Sequence, residues 1–147
     1  MKYLRNLAAL VLYIISFGLF AVFCDKLNMI SYLLFMIVPM ICSAVLSGLL
    51  LKESTEKSGN HISKSAILHT VYYAIYFFVN VLYIHANNAF SKIYENSKYL
   101  FAEGFSIGSE FSANLIDALL PCALCFILHI ICMKIILKCK RGHNEVL

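Results

Sequence analysis

Residues 67–87, ILHTVYYAIYFFVNVLYIHAN, are apolar enough to cross a bilayer, yet they carry a regular set of polar side chains. The polar positions are His69, Tyr73, Tyr76, Asn80, Tyr83 and Asn87. They are three or four residues apart, and at about 3.6 residues per turn that spacing keeps them on one helical face. Because polar groups on a membrane helix face other helices or a wet cavity, this polar stripe predicts a surrounding helical bundle.

The composition places the whole chain in the membrane class. Its 147 residues are 61% hydrophobic and 14% charged, whereas soluble domains average about 45–50% apolar and about 25% charged. The sequence contains no Gly-rich phosphate loop, no HExxH and no GxSxG, so an enzyme is the less favoured class. The net charge of +4 comes from basic residues near helix ends, and we therefore expect no nucleic-acid partner.

Four apolar segments predict an all-α integral membrane protein, with four transmembrane helices in an antiparallel bundle. The segments run over residues 7–24, 29–51, 66–84 and 113–137, and we expect them to form a single membrane domain over 1–147. The second segment carries Ser43, Ala44, Ser47 and Gly48, small side chains that allow a neighbouring helix to approach closely. A polar stretch, 52–65, reads as a connecting loop.

The connection between the third and fourth segments, residues 85–112, has its own pattern. Aromatic side chains recur there at helical spacing, namely Phe90, Tyr94, Phe101 and Phe105. This pattern predicts an outer amphipathic helix at the membrane interface, ending near Gly104 and Gly108. The helix would cap the bundle as a lid or, alternatively, extend the third segment beyond the membrane.

The basic residues orient the bundle. Lys26, Lys92 and Lys98 lie at one end, and the other nine of the twelve basic residues lie at the end with both termini. The positive-inside rule predicts cytoplasmic termini in a plasma or inner membrane, with the 85–112 connection on the opposite side.

A second stripe lies on the fourth segment, where Cys122, Cys125, His129 and Cys132 share a helical face. Consecutive antiparallel helices bring their inward faces together, so we expect this stripe to meet the polar stripe of the third segment. The Cys122–Cys125 pair in a four-helix protein resembles the quinone-linked thiol oxidoreductases of the vitamin K epoxide reductase type, which implies a redox-active thiol pair. The 85–112 connection, however, has no cysteine to relay electrons.

Cysteine and histidine at this spacing can also bind copper or zinc through Cys122, Cys125, His129 and Cys132. His69 and His129 could instead be axial ligands of a haem between facing helices, although counting residues places them at different depths. The simpler interpretation, which we favour, is that each histidine hydrogen-bonds within the bundle and that no cofactor binds.

Asp117 is the acidic residue that lies well inside an apolar segment. An intramembrane ionisable residue is a functional hypothesis by default, although a position near the interface also allows a capping role. With the polar stripe and His129, Asp117 could line a pathway, and four helices would then need a homo-oligomer to enclose it.

Our first functional hypothesis is a non-enzymatic membrane protein that acts through partners, as an accessory subunit, a scaffold or an immunity-type protein. Small size and the missing catalytic motifs favour it. The alternatives are a small transporter or channel subunit that uses the stripe and Asp117, and a thiol-redox or haem- or metal-binding protein. The expected partners are the lipid bilayer and either another protein or further copies of the chain.

Overall fold

The computed structural model describes residues 2–50, 59–100 and 115–144, with side chains over 6–50, 62–100 and 118–139. The described α-helices are α1 (Lys2–Phe23), α2 (Met29–Leu49), α3 (Gly59–Ala86), α4 (Ala89–Glu95) and α5 (Leu115–Asn144). Helices α1, α2, α3 and α5 are each long and apolar enough to cross a membrane. The predicted all-α membrane bundle is therefore confirmed. We call the end that carries α4 the cap end and the opposite end the termini end.

Three helices are longer than the sequence predicts, and the first of them, α1, begins at Lys2 instead of residue 7. Helix α3 begins at Gly59 instead of residue 66, and α5 continues to Asn144 instead of residue 137. The apolar part of α3 starts only at Ile62. Polarity marks where a helix leaves the apolar zone, whereas serine and lysine remain compatible with helical backbone beyond it. The described part of the predicted loop 52–65, residues 59–65, is therefore helix and not loop.

The outer connection begins with a short helix that is separate from α3. Asn88 adopts a left-handed backbone with φ 49°, and this turn breaks the chain direction before α4 starts. The alternative of a continuous extension of α3 is therefore wrong. Helix α4 buries Ala89 and Ile93 against the bundle, which makes it amphipathic, but it ends at Glu95. The predicted continuation through Phe101, Gly104, Phe105 and Gly108 lies outside the described residues.

The segment after α4 hydrogen-bonds the turn between α1 and α2. The Asn96 side-chain amide donates to the carbonyls of Asp25 at 3.0 Å and Leu27 at 2.9 Å. The Ser97 hydroxyl accepts the Met29 backbone N–H at 2.6 Å. Since the first N–H groups of a helix have no intrahelical acceptor, Ser97 satisfies one of the orphan donors of α2. Side chains distant in sequence thus hold the cap in place.

Two contacts of the cap, the Ser97–Met29 hydrogen bond and the Lys92–Asp25 ion pair, should contribute differently to stability. Ser97→Ala should destabilise the protein by about 1–2 kcal/mol, because it leaves the Met29 N–H without its acceptor. Lys92→Ala should cost less than about 0.5 kcal/mol, because the Lys92–Asp25 ion pair is largely solvent-exposed. Unfolding of both variants in mixed detergent–SDS micelles measures the difference. Equal losses would contradict the expectation that the buried Ser97 hydroxyl contributes more than the exposed ion pair.

Pro39 lies inside α2 and explains a contact between α2 and α3. Proline has no N–H, so the Phe35 carbonyl one turn earlier loses its helical donor. The Tyr76 hydroxyl of α3 donates to that carbonyl at 2.6 Å. Tyr76 of the polar stripe therefore replaces the donor that the Phe35 carbonyl lacks, and this hydrogen bond sets the register between α2 and α3.

A double-mutant cycle tests this pairing. Tyr76→Phe should cost about 1–2 kcal/mol in the native background, because the Phe35 carbonyl is left buried without a donor. With Pro39→Ala already present, residue 39 supplies an N–H, and Tyr76→Phe should then cost less than half as much. Unfolding free energies of the four proteins give the coupling. Additive costs would contradict the assigned role of Tyr76.

Candidate functional site

The polar stripe of α3 points into the bundle over most of its length. His69 and Asn80 are 0% exposed, Tyr73 is 2% exposed and Tyr76 is 4% exposed. Tyr83 is half-buried, and Asn87 lies exposed at the cap end. The buried members contact several helices of the same chain, so a second subunit is not needed to cover them.

Toward the termini end, the stripe forms a histidine pair with α5. The rings of His69 and His129 have centroids 4.2 Å apart and planes 31° apart. The Ser47 hydroxyl of α2 lies 3.1 Å from Nε2 and 3.4 Å from Nδ1 of His69. His129 and Ser47 are 0% exposed, like His69. Three helices thus meet at two ionisable rings and one hydroxyl, all shielded from water.

The two histidines lie at the same depth, although residue counting from the helix ends placed them at different depths. The longer α3 and α5 make such counting unreliable. A haem iron bound by both rings would lie between their nitrogens, with the porphyrin separating the rings. The rings instead contact each other, so this arrangement leaves no place for a haem between them.

One turn toward the cap end, α1 joins the buried polar groups. The Tyr13 and Ser43 hydroxyls are hydrogen-bonded at 2.8 Å, and Ser43 also donates to the Met40 carbonyl at 2.9 Å. The Tyr13 ring packs 6.3 Å from the Tyr73 ring and 5.3 Å from the Tyr76 ring. Tyr13, Ser43 and Ser47 were not candidates from the sequence. The four-residue spacing of the two serines indicated close packing, but not a polar contact.

Nearer the cap end, the stripe bonds to backbone. The Asn80 amide nitrogen donates to the Tyr76 carbonyl at 2.7 Å, and the Tyr83 hydroxyl donates to the Ala21 carbonyl at 3.3 Å. The Asn80 Oδ1 atom is buried and has no hydrogen-bond partner among the described residues. Asp117 belongs to the first turn of α5, but its side chain is outside the described part. A pathway lined by the polar stripe and Asp117 therefore remains a prediction.

The cysteines of α5 differ in their surroundings. Cys125 is 0% exposed and lies beside the hydroxyls of Tyr13 and Thr70. Cys122 and Cys132 are half-buried, and all are free thiols. Within the described residues, no group of three or more His, Cys, Asp or Glu side chains is arranged to hold a metal ion. The proposed copper or zinc set of Cys122, Cys125, His129 and Cys132 is therefore not assembled here.

The comparisons with known proteins place this arrangement in no family. No protein-family model matches the chain, and no curated protein or solved structure matches it.

The burial of the polar side chains limits the chemistry that this site can perform. A side chain with 0% exposure contacts neither the surrounding solvent nor an internal cavity large enough for a water molecule. His69, Asn80 and His129 consequently line no aqueous path in this conformation. The polar side chains of the stripe contact α1, α2 and α5. The contact with α5 includes the buried rings of His69 and His129.

Proposed function

We propose that the chain is a non-enzymatic multi-pass membrane protein that acts through another protein in the same membrane, as an accessory subunit, a scaffold or an immunity-type protein. The observation that carries this proposal is the burial of His69, Tyr73, Tyr76 and Asn80, which keeps these polar side chains of α3 inside the bundle in the part of the chain that the structure describes. The polar groups support the architecture of the bundle, so activity is more reasonably sought at its outer surface.

The surface of the membrane helices supports the same proposal. In the most apolar stretch of each membrane-spanning helix, between 17% and 33% of the residues are buried within the chain. Each helix therefore also carries exposed apolar side chains that are available to lipid or to a partner helix. The lowest share belongs to α5, whose outward ridge includes Leu124, Ile127 and Ile131. Branched aliphatic side chains of this kind suit both lipid and helix–helix packing.

Purification from native membranes tests the proposal. The tagged full chain, extracted in a mild detergent, should retain one membrane protein at fixed stoichiometry, as measured by native mass spectrometry. Two matched triple-alanine variants locate the interface. One changes Leu124, Ile127 and Ile131 on α5, and the other changes three residues of α1 that are also exposed, namely Ile14, Ile15 and Val22. We expect one variant to lose at least about 90% of the partner and the other to retain it.

A specific observation also favours a second candidate, a small transporter or channel subunit. Ionisable groups inside a membrane span often belong to ion or proton pathways, and the His69–His129 pair is such a group. This candidate predicts proton or cation flux in liposomes that falls at least about tenfold in Asp117→Asn. Flux from a chain that purifies without a partner would replace the accessory proposal with this one.

A further inference from the structure

An open groove runs along the outer surface of the bundle between α1 and α2. Its volume is about 380 Å³, within the range of about 300–1,000 Å³ that is usual for small-molecule sites. Leu19, Leu34 and Val38 line the groove and are about half exposed, whereas Phe35 and Pro39 form its deeper surface. Because both helices are long and apolar enough to cross a membrane, the groove opens toward the bilayer.

Two small side chains leave the space that forms the groove. Helices α1 and α2 are in direct contact, since the Phe20 ring lies 6.2 Å from the Tyr32 ring and 5.9 Å from the Phe35 ring. On the outer side of this contact, Ser16 and Ser31 line the groove, and a serine fills much less volume than a leucine. Atoms beside an empty gap lose their dispersion contacts, so a component of the membrane is expected to fill it.

The dimensions of the groove suit an acyl chain. Ser31 lies in the first turn of α2, at the cap end, and Pro39 follows eight residues later, a rise of about 12 Å. This length is close to the hydrocarbon depth of one leaflet, about 15 Å. A helix about 10 Å in diameter would occupy about 900 Å³ over the same rise, more than twice the volume of the groove. A partner helix would therefore leave much of the groove unfilled.

The Ser31 hydroxyl gives the groove a polar end. Serine hydroxyls in helices often donate to the carbonyl three or four residues earlier, as Ser43 does to Met40. Ser31 makes no such bond within the described part of the chain, and the Leu27 carbonyl accepts the Asn96 side chain at 2.9 Å instead. The first turn of α2 begins the apolar span, which is the depth at which the ester carbonyls of glycerophospholipids lie. An ester carbonyl can accept from Ser31 at this depth.

From these observations we propose that α1 and α2 bind one glycerophospholipid of the leaflet at the cap end. One acyl chain lies in the groove, and an ester carbonyl accepts a hydrogen bond from Ser31. Hydrocarbon already surrounds an acyl chain in the bilayer, so burial of apolar area does not drive this binding. The preference over bulk lipid comes from close packing in the groove and from the hydrogen bond. This lipid site is independent of the proposed protein partner.

Photo-crosslinking locates the lipid. The full chain is placed in phosphatidylcholine nanodiscs with a trace of phosphatidylcholine that carries a diazirine in the middle of one acyl chain. Peptide mass spectrometry compares Leu34 and Val38 with Ile75 and Leu82 of α3, which lie in the same half of the membrane and are at least as exposed. We expect the groove pair to be labelled at least about tenfold more. Equal labelling would indicate bulk lipid only, and weaker labelling would indicate a covering helix; either result overturns the proposal.

Filling the groove should abolish this preference. Ser16→Leu should lower the labelling of the groove pair to the level found on α3. Gly18→Leu is the control, because it adds a leucine to α1 outside the groove, at a position where a Cβ meets nothing within 4 Å. Labelling in this variant should equal that of the native chain. Unchanged labelling in Ser16→Leu would contradict the proposed site.

The hydrogen bond can be tested without changing the native chain. Diether phosphatidylcholine keeps the headgroup and the alkyl chains but lacks ester carbonyls. The diester probe should label the groove pair at least about threefold more in a diether bilayer than in a diester bilayer, because it then competes with lipids that bind less tightly. Labelling of Ile75 and Leu82 should not change. In Ser31→Ala the difference should disappear. No difference in the native chain, or the same difference in the variant, would overturn the role of Ser31 as the donor.

Discussion

Gly48→Leu should destabilise the protein by about 3 kcal/mol or prevent its folding, because α2 and α5 pack against each other at this residue. A Cβ atom at position 48 would lie 2.5 Å from Cδ1 of Ile136 and 3.2 Å from its Cβ. The side-chain end of Ile136 can rotate away, but its Cβ moves only with the backbone of α5. A leucine would therefore push the helices apart and disturb the junction one residue away, at Ser47.

Gly18 provides the matched control for this experiment. It also lies within a membrane helix, but a Cβ there would meet nothing within 4 Å. Gly18→Leu should consequently leave stability within about 0.5 kcal/mol of the native value. Equilibrium unfolding in mixed micelles compares the two variants, and Ile136→Ala should recover part of the loss caused by Gly48→Leu. If both leucine variants lose stability equally, glycine content and not helix contact determines the effect.

The features that the sequence predicts well are those with a single physical cause. Long apolar runs predicted four membrane-spanning helices, because the backbone N–H and C=O groups of a segment in hydrocarbon must be hydrogen-bonded within a helix. The regular spacing of the polar residues predicted that the stripe lies on one helical face. Because polar groups avoid hydrocarbon, that face was expected to point into the bundle. His69, Tyr73, Tyr76 and Asn80 are accordingly buried. Fold class and stripe orientation needed no knowledge of which helices are neighbours.

The features that the sequence does not predict depend on that missing knowledge. The Tyr76 hydroxyl donates to the Phe35 carbonyl, which lies one turn before Pro39 in α2. The Ser97 hydroxyl accepts the Met29 N–H in the first turn of α2. Both contacts join positions far apart in the chain. Pro39 marks the Phe35 carbonyl as lacking a helical donor, but the sequence does not show which side chain replaces that donor. The depth of the two histidines was misjudged for a related reason. How far a helix continues beyond its apolar part depends on local backbone preference and not on hydropathy. Counting residues from the polar boundaries therefore misplaced the ends of α3 and α5.

Asn80→Asp should destabilise the bundle by about 3 kcal/mol or more, although the two side chains have nearly the same shape. The Asn80 amide nitrogen donates to the Tyr76 carbonyl at 2.7 Å, in a site that is 0% exposed. An aspartate replaces that donor by a second acceptor, so two oxygens would face each other. It also introduces a charge where water cannot reach, and a charged residue within a membrane span costs about 2.5–3.5 kcal/mol even on the lower scales.

Asn87→Asp is a closely matched control, because Asn87 makes the same bond to the carbonyl four residues earlier, at 2.9 Å, but lies exposed. Its carboxylate remains hydrated, and we expect a loss below about 0.5 kcal/mol. Asn80→Leu separates charge from hydrogen bonding, since it removes the donor without adding an acceptor and also removes the unpaired Oδ1; its cost should stay near 1 kcal/mol. Unfolding in mixed micelles at pH 7.5 ranks the three variants. If Asn80→Asp is tolerated as well as Asn87→Asp, the junction near residue 80 must admit water or a counter-ion, which would favour a polar pathway near Asp117 over a dry structural contact.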